Sequence, residues 1–267
     1  MAEVVVAGAA GRMGRCLVGC LRDLADLGLA GALERPGHPA LGQDVGEVAG
    51  VGRIGVAITA DPGALLTRDR ILIEFSAPGP TLDHLRRAAQ TRARAVIGTT
   101  GFSPEEREEI AALARQIPIL LSPNMSVGVN LAFKLLAQMA TALGDEYDVE
   151  ITEIHHRWKT DAPSGTALRM AEAIAQALGR DPQQVLVYGR RGLTGERTAK
   201  EIGIQSLRAG DVVGDHTVVF GGQGERLELT HRTGSRDAFA RGAIRAARFI
   251  ATAPAGLHSM QDVLGLK

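Results

Sequence analysis

Lysine is scarce in this chain: of 30 basic residues only Lys134, Lys159, Lys200 and Lys267 are lysine, and arginine supplies the rest. An excess of charge of either sign is also missing, with 30 basic residues against 30 acidic ones. Such balance excludes a chain-wide electrostatic grip on nucleic acid or an anionic membrane, so any anion must be met by a local cluster. No uninterrupted apolar run reaches the roughly 20 residues that cross a bilayer, and the opening EVVVAG has no basic leader segment before it. The expectation is a soluble cytoplasmic protein with neither nucleic acid nor membrane as partner. Cysteine is limited to Cys16 and Cys20. Both fall on an apolar helical stripe with Met13, Leu17, Leu21 and Leu24, which reads as reduced core thiols; no metal site is expected.

What remains is the composition of a folded protein, 45% hydrophobic and 22% charged over 267 residues, enough for one large or two modest domains. Through residue 121 short apolar runs alternate with helical patterns: strands at 4–7, 31–33, 71–75, 95–98 and 119–121, helices at 12–28, 80–92 and 104–115. That alternation predicts an α/β domain with a parallel sheet covered on both faces. Beyond about residue 125 the pattern changes to β segments at 147–156, 184–189, 200–208, 211–220 and 225–232 with one helix at 164–178, an open mixed sheet of α+β type. A last helix, 237–251, is expected to return to the first domain. The expected domains are thus 1–126 with 236–267, and 127–235, joined by two crossings.

Directly after the first strand, Gly8-Ala9-Ala10-Gly11-Arg12-Met13-Gly14 opens a helix. Glycines there tighten the turn and let the backbone approach a pyrophosphate, whose charge meets the free N–H groups of the helix start, as in a Rossmann-like dinucleotide site. Ala10 stands where the common fingerprint has its second glycine. Glu34, at the end of the second strand, can accept from an adenosine ribose, and Arg35 beside it can neutralise the 2′-phosphate of NADP. Three further strand ends are polar: Phe75-Ser76, Gly98-Thr99-Thr100-Gly101 and Ser122-Pro123-Asn124-Met125. Carboxyl ends of parallel strands are where such sheets bind ligands.

The richest stretch runs from Glu153 to Ala167, EIHHRWKTDAPSGTA. It gathers two imidazoles, a guanidinium and an ammonium ahead of Ser164, a good N-cap whose following N–H groups suit a carboxylate. His155 and His156 are adjacent on a strand and so face opposite ways, and no third ligand for a metal is near.

In this motif the chain resembles the dihydrodipicolinate reductase family, which reduces 4-hydroxy-tetrahydrodipicolinate in the diaminopimelate route to lysine. The resemblance continues through GRMG, VIGTTGF, NMSVGVN (124–130), RAGDVVGDH (208–216) and GERLELTHR (224–232), and departs at Trp158, often a histidine in the family, and at Ala10. It implies that Gly8, Ala9, Ala10, Gly11, Arg12, Met13, Glu34, Gly98, Thr99, Thr100, Ser122, Pro123, Asn124 and Met125 hold NADH or NADPH, with Arg35 serving NADPH. His156, Lys159, Ser164, Gly165 and Thr166 would bind the carboxylates of a small dicarboxylate substrate, with Thr100 close to both ligands. His155 would be the acid–base residue and Lys159 a proton donor; which of them gives the decisive proton stays open. A homotetramer is implied as well.

Overall fold

The computed structural model describes residues 1–266. They fall into two compact units, residues 1–127 with 236–266, and Gly128–Ser235. The first unit begins β1 (Ala2–Ala7), α1 (Arg12–Leu21), β2 (Leu27–Leu33), α2 (Val45–Ala49), β3 (Ile58–Thr59), β4 (Ile71–Glu74), α3 (Pro78–Thr91), β5 (Arg94–Ile97), α4 (Pro104–Ala114) and β6 (Pro118–Leu121). The second contains α5 (Val127–Leu143), β7 (Asp148–His155), α6 (Gly165–Ala177), α7 (Pro182–Val185), β8 (Leu186–Tyr188), β9 (Ile202–Arg208), β10 (Gly214–Gly221) and β11 (Arg226–Thr233). The chain then re-enters the first unit as α8 (Asp237–Ile250), β12 (Gly256–His258) and α9 (Met260–Leu264).

The first unit is built on a seven-stranded sheet in the order β12-β6-β5-β4-β1-β2-β3, with every pairing parallel. A strand buried on both faces reads as a nearly continuous apolar run, as Val4–Ala7 of β1 and Ile71–Ile73 of β4 do, with the buried Glu74 at the end of β4 as the exception. Val4, Val6, Ile71, Ile73, Val96 and Leu120 join α1 and α8 in one core, while Val5, Ala7, Leu72, Ala95, Ile97 and Ile119 join α3 and α4 in the other. β1 pairs with β2 on one side and β4 on the other, so the order reverses there and opens a crevice at the carboxyl ends. The acidic start of α4 is a capping box: Ser103 Oγ accepts from the Glu106 N–H at 3.2 Å, and the Glu106 carboxylate accepts from the Ser103 N–H at 2.8 Å.

Two expectations need correction here. α1 ends at Leu21 instead of continuing to residue 28, and β2 begins at Leu27. Leu24 and Leu27 continue the helical spacing, but Gly28 and Gly31 disfavour a helix, and a Cβ on Gly31 would lie 2.7 Å from Leu65 Cδ1. The small elements α2, β3, β12 and α9 were not expected, and α7 occupies Pro182–Val185 where the strand at 184–189 was to begin.

The second unit is a five-stranded mixed sheet, β11-β10-β7-β9-β8, with β10 antiparallel to both neighbours and β7, β9 and β8 parallel. Two helices cover its apolar face where one was expected: α5 through Ala132, Leu136 and Ala140, and α6 through Ala167, Met170, Ala171 and Ile174. α5 also bears on the expectation that no segment is long and apolar enough to cross a membrane. From Val127 to Glu146 the helix is long and apolar enough by length and composition to cross a membrane. Its polar residues do not mark a solvent face: Asn130 is buried and Leu131 and Leu135 are exposed, while Ala132, Leu136 and Ala140 lie in the unit's core.

Candidate active site

The sequence-derived residues of the first unit gather at the carboxyl edge of its parallel sheet. Gly8 leaves β1 with φ 66°, a left-handed conformation that glycine adopts without strain. Gly11 is the N-cap of α1 and its N–H returns to the Gly8 carbonyl at 3.0 Å. No side chain caps this helix and its first turn has no acid, which leaves the N–H groups for an outside anion. A Cβ on Gly14 would lie 2.2 Å from the Gly8 carbonyl oxygen and 2.6 Å from Ala9 Cα, so glycine is needed there for the turn to close on the helix. Arg12 is exposed and Met13 half-buried beside it.

Glu34 reaches back to this turn. One carboxylate oxygen accepts from the Ala10 N–H at 3.0 Å, the other from the Arg35 N–H at 3.2 Å, and the Arg35 side chain is exposed. Gly8, Glu34, Arg35, Ser76 and His84 line a cavity of about 420 Å³. The fit to a dinucleotide is therefore good: an uncapped helix start for phosphate, an acid for ribose, and a cavity beyond it for a base.

At the other strand ends, a Cβ on Gly98 would strike the Phe75 ring at 2.1 Å, so the two residues share one space. Thr99 is buried and its hydroxyl accepts from Thr81 Oγ1 at 3.1 Å, whereas Thr100 is exposed. Ser122 donates to the Asn124 carbonyl at 2.8 Å, Asn124 Oδ1 accepts from the Ser126 N–H at 2.8 Å, and Pro123 is exposed. Ala9 and Met125 are buried in the core beneath this edge.

In the second unit the polar motif is organised by a residue to which the sequence reading assigned no role. Glu153 is fully buried on β7, two positions from His155 and hence on the same strand face. Its carboxylate lies 2.5 Å from His155 Nδ1, accepts from Arg208 at 2.9 and 3.0 Å, and accepts from the Ser164 N–H at 3.2 Å. Strand register explains the gathering: on β9 His155 stands opposite Arg208 and Glu153 opposite Ser206, and on β10 Glu153 stands opposite His216. Burial alone would push the Glu153 carboxyl up, but hydrogen bonds from His155, Ser206 and Arg208 outweigh it and hold it below the usual carboxylate range.

His155 itself is pulled down from the ordinary histidine value by burial, with Glu153 opposing and Lys159 and Arg208 adding to the depression. Its ring is neutral near neutral pH, with Nδ1–H donated to Glu153 and Nε2 left as acceptor. A Cβ on Gly214 would lie 3.0 Å from that Nε2, so glycine leaves room beside the nitrogen. His216 crosses His155 edge-on at 5.2 Å between ring centroids. Ser164 Oγ accepts from the Ala167 N–H at 3.1 Å, capping α6, and shares a hydrogen bond with His216 Nε2 at 3.0 Å. Burial, with the charges of His155, His231 and Lys159, pushes His216 down to about 4.

Lys159 Nζ donates to both oxygens of Asp161 at 2.7 Å, and that ammonium holds the Asp161 carboxyl below its usual range. His156 lies beside the exposed Trp158 ring, centroids 5.9 Å apart and planes tilted by 39°, and its Nδ1 is buried without a partner among the described residues. Gly165 and Thr166 open α6 directly behind Ser164. His155, Ser164 and Arg208 thus meet on Glu153, His216 joins through Ser164, and Arg208 ties in the Lys159–Asp161 pair by donating to the Asp161 carbonyl at 2.6 Å.

Family models described as the dihydrodipicolinate reductase N-terminus and C-terminus match residues 2–125 and 128–264. The 4-hydroxy-tetrahydrodipicolinate reductase of Citrifermentans bemidjiense is 53% identical over 267 residues, and that of Geobacter sulfurreducens 52%, each alignment covering 100% of both chains. Among solved structures, a dipicolinate-bound dihydrodipicolinate reductase from a Paenisporosarcina species shares the fold with a TM-score of 0.76, at 24% identity and 98% coverage of both chains. The chain belongs to the dihydrodipicolinate reductase family.

Proposed function

We propose that the chain reduces 4-hydroxy-tetrahydrodipicolinate to tetrahydrodipicolinate at the expense of NADH or NADPH, in the diaminopimelate route to lysine. The observation that carries the reading is the His155–Glu153 pair beside Lys159 at the capped start of α6, an acid–base group set against an anion site. The bound cofactor supplies hydride. Gly8, Gly11, Arg12 and Met13 hold its phosphates, Glu34 its ribose, Arg35 the 2′-phosphate of NADPH, and the strand ends at Gly98–Thr100 and Ser122–Asn124 its nicotinamide half.

In the second unit the N–H groups of Gly165 and Thr166, with His156 and Lys159, take the substrate carboxylates by charge-assisted hydrogen bonds. His155 Nε2, unprotonated, accepts a proton from the ring carbon next to the imine carbon, and the hydroxyl one carbon further leaves as water once it has gained a proton. After hydride addition the enamine carbon needs a proton, and the Lys159 ammonium donates it. A positioned acid or base contributes about 10² to 10⁴ in rate.

The test is oxidation of NADPH by the purified protein on adding freshly made 4-hydroxy-tetrahydrodipicolinate, with pyridine-2,6-dicarboxylate competing. Lys159→Ala should lower kcat about 100-fold with cofactor affinity nearly unchanged, and Arg35→Ala should weaken NADPH more than NADH. Absence of turnover overturns the reading. The proposal includes a homotetramer in the cytoplasm. The second sheet has open edges at β8 and β11 that pairing between subunits would cover, and free Cys16 and Cys20 suit a reducing compartment. Sedimentation velocity reads the assembly.

A further inference from the structure

Behind the wall of the cavity beyond Glu34 lies a buried acid that the reduction does not use. Glu74, the last residue of β4, is fully buried. One of its carboxylate oxygens accepts from the Ser76 N–H at 3.1 Å, and the other lies 2.7 Å from His84 Nδ1 on α3. A carboxylate in that position is costly unless both oxygens are satisfied, and His84 Nδ1–H satisfies the second. In the neutral ring the proton therefore sits on Nδ1, and Nε2, which has no protein partner among the described residues, is an acceptor. His84 lines the same cavity as Gly8, Glu34 and Arg35, so that acceptor belongs to the wall where the base lies if Glu34 holds the ribose. The other acid on this wall, Asp83, is engaged by Arg86 at 2.8 Å.

Resting on the cofactor reading above, we propose that Glu74 is a positioning residue that fixes the tautomer of His84, and that His84 Nε2 selects a base carrying an amino group at its six-position, adenine, over one carrying a carbonyl there. Adenine offers an N–H donor at that edge. Hypoxanthine offers an oxygen, which would face the nitrogen lone pair and leave two acceptors opposed in a partly buried site.

The experiment compares binding of NADH and of reduced nicotinamide hypoxanthine dinucleotide to the full chain by fluorescence, with no substrate present. Wild type should favour NADH about tenfold, the cost of one misplaced hydrogen bond. His84→Leu should bring the ratio close to one. Glu74→Gln, whose amide can donate to Nδ1 and move the ring proton to Nε2, should reduce or invert it. Nitrogen NMR of wild-type His84 should show the Nδ1-protonated ring, a readout that does not depend on either variant folding. Equal binding by wild type, a ratio kept in His84→Leu, or an Nε2-protonated ring overturns the inference alone. Binding of neither dinucleotide overturns the cofactor reading and this inference with it.

Discussion

At the residue scale the histidines are set by their neighbours. Glu153 gives His155 one tautomer, so a substitution that keeps size but lets the side chain donate reverses the ring. Glu153→Gln should lower kcat by about 10² to 10⁴ while the KM for substrate changes little, and Glu153→Asp, which keeps the charge, should recover part of the loss. Steady-state kinetics with a melting curve for each variant checks this; an unchanged kcat would remove Glu153 from the site. His216 makes a pH prediction. Its native value of about 4 lies below the ordinary histidine value of 6.5, so on acidification the unfolded chain takes up a proton before the folded one does. Stability should fall as pH drops from 6.5 to about 4, by about 3 kcal/mol for this one group, and His216→Gln should lack that part of the slope in urea unfolding at pH 7.5 and 5.

At the scale of elements, α1 and the turn ahead of it behave as one part. Gly14→Ala pushes a methyl into the backbone of Gly8 and Ala9, and should cost about 1 to 3 kcal/mol and weaken NADH binding together. Gly11→Ala, whose Cβ would meet only the Gly8 carbonyl at 3.1 Å, should do less. Melting temperature and NADH affinity of the two variants decide it. The parallel strands were legible because each is a short apolar run closed by a polar turn, and α4 because Ser103, Pro104 and the acids mark its start. α5 was not, since its polar residues at every fourth place obscure the run. In the site, His155, His156 and Lys159 stood out as rare types close in sequence. Glu153 was missed, although period-two alternation puts it on the face of His155. Arg208 and His216 arrive through the pairing of β7 with β9 and β10, a long-range register that no local pattern encodes.

For the molecule as a whole, the first unit is discontinuous in sequence and the second is not. α8 places Ala240, Ala243, Ala246, Ala247 and Ile250 in the core that also holds Val4, Val6 and Leu17. A chain cut after Ser235 should lose that core while the second unit, with its own apolar cluster, keeps its amide protons protected. Hydrogen exchange on the truncated chain checks this, and protection retained in β1 and β4 would contradict it.

The same insertion bears on how the protein is made. A ribosome delivers β1 to β6 first, yet that sheet lacks part of its cover until α8 has been synthesised, whereas β7 to β11 can pack on α5 and α6 as soon as they emerge. The second unit would be finished before the first, and the early strands must wait with apolar residues uncovered. In this chain the interval of greatest exposure to misfolding falls late in synthesis, and its length is set by how quickly the stretch from β7 to α8 is translated.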